Sequence, residues 1–204
     1  TKDYRGADPD HVIVWNEIMK KEVNVFHDIP EHSIFLGGIA HWDFYFDGSY
    51  KPSSKKDFLN FHGFPKDRKI IFYGTSAFQN FPRTFDVVEE LLKKIHENCL
   101  EEPVQLLVRL HPAYMHKKKY KKFQVIEEYR SRIESLKEKY EDLISFNFPM
   151  MKLLNDDTEM PVEDMHHLAD ILHHSNILLT EYSTLMIEGA IFNLPIINIA
   201  MFSY

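Results

Sequence analysis

The sequence predicts an α/β fold: a doubly wound parallel sheet, preceded by the remnant of an earlier α/β domain. Three observations lead there. Apolar runs of strand length alternate with helical patterns along most of the chain. The runs read apolar throughout, as strands covered on both faces do. Polar, small and glycine residues gather just behind them, where open parallel sheets take their ligands.

The elements follow in order. "HVIVW" (His11 to Trp15) reads as a strand, Glu17 to Phe26 as a helix and "SIFLGG" (Ser33 to Gly38) as a second strand. The aromatic, Gly-, Pro- and Ser-rich stretch that follows has no sustained period and reads as a linker. The pattern restarts with the strand Arg68 to Gly74. A helix comes next, with Phe85, Val88, Leu91, Leu92 and Ile95 on one face. Val104 to Leu110 is a buried-type strand ended by "HP". Tyr120 to Tyr140 reads as a long charged helix with Ile126, Tyr129, Ile133 and Leu136 on one face. Leu143 to Phe148 is the next strand, and the polar loop "NDDTEMP" leads into a helix from Val162 to His174. Strand Asn176 to Thr180, helix Ser183 to Phe192 and strand Pro195 to Ala200 close the series. The expected organisation is therefore residues 1–48 as the end of a first domain, 49–68 as linker and 69–204 as the second domain. The abrupt start and end are those of a fragment of a longer protein.

Composition narrows the function. With 44% hydrophobic residues in 204, the chain can bury a sizeable core. A net charge of −7 excludes a broad electrostatic pull toward nucleic acid. The local exception, "HKKKYKK" from His116 to Lys122, reads as a solvated helix face before it reads as a phosphate-facing patch. The single cysteine, Cys99, allows no internal disulfide framework and fits a reducing compartment. Its place in an amphipathic pattern makes it a core or boundary residue rather than a nucleophile.

Chemistry-bearing residues cluster behind three strands. After the first, Gly74 permits a tight turn, and Thr75 and Ser76 offer hydroxyls and amides; an ordinary strand-end turn reads the same way. After the second, His111, held by Pro112, is placed to donate to phosphate or to carry a proton, or simply to cap. After the third, Ser183 or Thr184 is a natural N-cap whose following amides suit an anion. Glu188, one turn on, could accept from the two hydroxyls of a ribose, although plain helix capping explains the pattern too.

Taken together, "LADILHHSNILLTEYSTLMIEGAIFNLPIINI" and "LLVRLHP" resemble the donor-binding domain of GT-B-type nucleotide-diphosphate-sugar glycosyltransferases, which have two Rossmann-like domains. The second stretch is similar to the strand-plus-His-Pro element of CDP-glycerol glycerophosphotransferases and related surface-polysaccharide enzymes. The resemblance implies that Ser183 and Thr184 hold a donor diphosphate and Glu188 its ribose. It implies that His111 contacts phosphate and that Gly74, Thr75 and Ser76 line the cleft. It also implies a nucleotide-activated sugar or polyol phosphate as donor, a polysaccharide or lipid-linked acceptor, and no cofactor or metal. The enzyme would be cytoplasmic, with peripheral association at the inner membrane face left open. The fragment alone would be inactive. Glu181-Tyr182-Ser183-Thr184 departs from the Asp-Tyr-Ser-Ser usual in the glycerophosphotransferases, which weakens the case for glycerol phosphate. The rival readings are a non-hydrolysing UDP-sugar 2-epimerase and a nucleotide-binding module without chemistry. His166 with Asp170, and Asp156 with Asp157, are the remaining metal-like pairs, each without a second ligand cluster.

Overall fold

The computed structural model describes residues 9–118, 122–154 and 157–199. The chain divides into two compact units, Thr1–Lys51 and Pro52–Tyr204.

In the first unit, strands β1 (Val12–Val14) and β2 (Ile34–Leu36) pair in parallel, joined through helix α1 (Glu17–His27). Asn16 caps α1 by accepting the Met19 amide at 2.9 Å, and Asp28 ends it in the left-handed region. Val14, Ile29 and Ile34 pack with Met19 and Val23 on one side of the pair. On the other side Ile13 and Phe35, direct partners in the register, stay exposed.

The second unit opens on helix α2 (Lys55–His62), inside the stretch read from the sequence as linker. Ser54 accepts the Asp57 amide and donates to its carboxylate at 2.6 Å, and Gly63 closes the helix in the left-handed region. Eight mostly polar residues are too few to show a helical period, which is why this element was hidden.

Five parallel strands follow: β3 (Lys69–Gly74), β4 (Val104–Arg109), β7 (Ile144–Asn147), β10 (Ile177–Thr180) and β11 (Ile196–Asn198), in the spatial order β11-β10-β3-β4-β7. Helices α3 (Thr84–His96) and α4 (Glu127–Lys139) cover one face, closing Tyr73, Val108 and Phe146 over Phe85, Val88, Leu92, Ile133 and Leu136. Helices α5 (Val162–His174) and α6 (Leu185–Ile191), with α2, cover the other, where Ile70, Phe72, Leu107 and Leu178 meet Phe58, Ile171 and Leu172. Alternate residues of β3, β4 and β10 thus feed opposite cores, which is why those runs are largely apolar, while Ile197 of the edge strand β11 stays exposed.

Several expected boundaries shift. The long charged helix begins at Glu127. Before it, β5 (Met115–Lys118) and β6 (Lys122–Val125) pair antiparallel, and the expected start at Tyr120 lies outside the described residues. Lys117, Lys118 and Lys122 of the lysine run are therefore in strands, not on a helix face; the like charges of the run gave no period to separate the two. The "NDDTEMP" loop contains part of a second antiparallel pair, β8 (Lys152–Leu154) with β9 (Asp157–Glu159); Asp156 and Ala200 lie outside the described residues. Helix α6 is shorter than Ser183 to Phe192, ending where Asn193 turns left-handed. Cys99 is exposed, because α3 stops at His96 and Asn98 turns left-handed before it. No described helix is long and apolar enough to cross a membrane.

Candidate functional site

The last residues of the five strands stand in one lateral row: Asn198, Thr180, Gly74, Arg109 and Asn147. Apolar strands thus end together in polar or small residues along the carboxyl edge. The connection reverses between β3 and β10. From β3 the chain winds outward through β4 to β7, then returns to the other side of β3 to lay down β10 and β11. Such a switch point opens a crevice between the two diverging loops. Here those loops are Thr75-Ser76 and Glu181 to Thr184.

The two loops are tied to each other. Glu181 is 3% exposed, its carboxylate accepting from the Tyr73 hydroxyl and, at 2.7 Å, from the Ser76 amide. Ser76 Oγ donates to the Glu181 carbonyl at 2.5 Å, and Thr180 Oγ1 to the Gly74 carbonyl at 2.8 Å. Burial raises the Glu181 pKa from 4.5 to about 7, with the Ser76 amide opposing it. Tyr182 follows with φ of 34°, its amide donating to Asn198 Oδ1 at 3.3 Å. That left-handed residue turns the chain back toward the edge.

On the neighbouring strand, the Thr75 amide donates to the Arg109 carbonyl at 3.1 Å, and Thr75 Oγ1 accepts the His111 amide at 2.9 Å. His111 Nδ1 accepts the Ala113 amide at 3.0 Å and so caps the turn Pro112–Tyr114. The neutral ring therefore carries its proton on Nε2. Partial desolvation at the edge lowers the His111 pKa from its ordinary value, favouring the neutral ring, although the residue as a whole is exposed.

Beneath the edge lies a buried polar chain. Arg109 donates to Asn147 Oδ1 and, at 2.5 Å, to Asp164 Oδ2 on α5. Asn147 Nδ2 meets His167 Nε2 at 2.8 Å, and Asp164 Oδ1 accepts the Met150 amide at 2.8 Å. Arg109 is thus held under the edge by partners from β7 and α5.

Of the residues singled out in the sequence, Thr75 and His111 are brought together, and Ser76 is bonded to Glu181. The space above Gly74 is filled by Leu185, which seats the start of α6 on the end of β3. Ser183 Oγ accepts the Leu185 amide at 3.2 Å. Thr184 occupies the N-cap position without a side-chain bond, and Glu188 is half-buried one turn on. No hydrogen bond among the described residues joins His111 to Ser183 or Thr184. Among the described residues no group of three or more His, Cys, Asp or Glu could hold a metal ion. Glu181 as a buried tie, and the partnership of Asp164, Asn147 and His167 with Arg109, were not legible in advance. Each joins residues far apart in the chain, and the only local signal was a carboxylate directly behind an apolar strand.

No protein-family model and no curated protein sequence matches the chain. Solved structures do. The wall teichoic acid polymerase TagF matches at 17% identity over 94% of this chain and 39% of its own, with a TM-score of 0.51. A Staphylococcus aureus MnaA–UDP co-structure matches at 14% over 93% and 42%, with a TM-score of 0.54. The UDP-GlcNAc 2-epimerase of Methanocaldococcus jannaschii matches at 13% over 93% and 46%, with a TM-score of 0.52. The chain spans less than half the length of each. At these identities the likeness is one of fold: the second unit is a Rossmann-like α/β domain of the kind found in GT-B-type proteins.

Proposed function

We propose that this chain carries the donor-binding domain of a GT-B-type transferase that uses a nucleotide-diphosphate-activated sugar or polyol phosphate for surface-polymer synthesis. The observation that carries the reading is the switch point between β3 and β10, flanked by two hydroxyl-bearing loops, with His111 just behind the next strand along. The diphosphate would meet the hydroxyls and amides of Ser183 and Thr184, with the Gly74 to Ser76 loop lining the opposite wall. Glu188 would accept from the ribose hydroxyls. His111 would donate from Nε2 to a phosphate oxygen, stabilising negative charge on the departing nucleotide, the nucleoside diphosphate when a sugar is transferred and the nucleoside monophosphate when a polyol phosphate is. These groups supply hydrogen bonds rather than a metal's charge, so the proposed step draws on no cofactor. The acceptor would be a polysaccharide or a lipid-linked chain, met at the cytoplasmic membrane face.

A second reading, a UDP-sugar 2-epimerase, is supported by the similarity to the MnaA–UDP co-structure and the archaeal 2-epimerase. Calorimetry of the intact protein with UDP, CDP, GDP and ADP tests both. Selective binding of one nucleotide, weakened at least tenfold in Glu188→Ala, supports a donor site; no binding at millimolar concentration sinks it. Incubation with the matching activated donor then separates the readings. Release of the nucleoside diphosphate with transfer of a sugar, or of the nucleoside monophosphate with transfer of a polyol phosphate, marks a transferase, and an altered sugar still attached to its nucleotide marks an epimerase. Binding without either marks a module without chemistry.

A further inference from the structure

We propose that Glu181 is a positioning residue that clamps the loop after β3 to the loop after β10, so that Thr75-Ser76 and Ser183-Thr184 are held as the two walls of one crevice. The purpose assigned to the clamp rests on the donor-site reading above; the clamp itself does not.

The geometry gives Glu181 no route to a ligand. Both carboxylate oxygens are engaged from within, one by the Tyr73 hydroxyl on β3 and one by the Ser76 amide beyond it. The residue is almost wholly buried although it lies one position past the end of β10. A carboxyl group suits this place because it offers two acceptors at fixed separation, one for each donor. The backbone of Glu181 joins in through Ser76 Oγ, so side chain and main chain grip the same residue. Thr180 adds a bond to the Gly74 carbonyl from the strand side. Leu185 rests over Gly74 from the helix side. The left-handed Tyr182, held by Asn198, lets the chain bury Glu181 and still return Ser183 to the edge. Strand ladders alone would leave both loops free to splay, since ladder bonds stop at Thr180 and Gly74.

The test is amide hydrogen exchange on the intact protein, read in peptides covering residues 74–78 and 181–186, with UDP and CDP affinity measured alongside. Glu181→Ala is expected to speed exchange at least tenfold in both segments while the interior of α3 stays protected. Glu181→Gln, which can still accept from Ser76 and bond Tyr73, is expected to stay within threefold of the unaltered protein. The nucleotide bound by the unaltered protein is expected to bind Glu181→Ala at least tenfold more weakly and Glu181→Gln nearly normally. Unchanged exchange in Glu181→Ala, a change in one segment only, or a Gln variant no better than Ala overturns the clamp. Should Glu181→Ala not fold, Tyr73→Phe removes one tie alone, and exchange unmoved there overturns the clamp as well. If no nucleotide binds the unaltered protein but exchange responds as expected, the donor-site reading falls and the clamp stands.

Discussion

His62 of α2 stacks on His167 of α5, ring centroids 5.3 Å apart and planes 22° from parallel, with its own Nε2 buried and without a partner. Burial first, and then the neighbouring His167, push the His62 pKa down from 6.5 to about 3. The unfolded chain restores the ordinary value, so below pH 6.5 it binds a proton that the native state refuses. Stability from this site is present above pH 6.5 and is lost as pH falls toward 3. Thermal unfolding between pH 8 and pH 5 is expected to show this loss, and to show a flatter acid limb in His62→Phe. A variant as acid-sensitive as the parent would locate the loss elsewhere.

The Arg109–Asp164 pair is buried at both ends. Asp164→Ala strands a guanidinium under the carboxyl edge and is expected to cost about 3–5 kcal/mol in denaturant unfolding. Replacing both partners together, as Arg109→Met with Asp164→Leu, is expected to recover most of that loss. Equal losses in the single and double variants would mean that the cost is packing rather than uncompensated charge.

Glu181 has the opposite pH signature to His62. Its carboxyl holds its proton more tightly in the native state than in the unfolded one, so its contribution is full below pH 4.5 and is lost as pH rises through about 7. Glu181→Gln removes that dependence. The stability difference between Glu181→Gln and the parent is expected to shift in favour of the variant from pH 4.5 to pH 8, by roughly 3 kcal/mol at most. A difference that stays flat with pH would show that the carboxyl titrates normally.

Gly189 lets α6 lie against the sheet. A Cβ there would stand 2.6 Å from Leu178 Cδ2 and 3.4 Å from Ile196 Cδ1. Gly189→Ala is expected to lower stability by about 1–3 kcal/mol through overpacking. Gly74→Ala is expected to displace Leu185 and weaken nucleotide binding. Normal affinity in Gly74→Ala would separate the seating of α6 from the site.

Much of the sheet could be read from the sequence because the four strands β10, β3, β4 and β7 are buried on both faces and so leave continuous apolar runs. Helix α5 was read at its observed bounds, Val162–His174, for the related reason that one face is strongly apolar. What escaped was governed by contacts rather than period. Helix α2 is defined by Ser54 and Gly63 at its ends, and β5 and β6 by their antiparallel pairing. The positions behind the strands were legible as a set, since composition changes there. Their partners were not: nothing near Glu181 in the sequence announces Tyr73, which lies 108 residues away.

The strand order also sets the timetable of synthesis. One side of β3 is complete once β4 has been made, but the other waits for β10, and the bond from the Ile70 amide to Asn176 Oδ1 bridges 106 residues. At ~5–20 residues per second a ribosome needs about 5 to 20 s to cover that span. During that interval β3 presents an unpaired, strongly apolar edge to its surroundings. The seam that becomes the crevice is therefore the last of the central pairings to close.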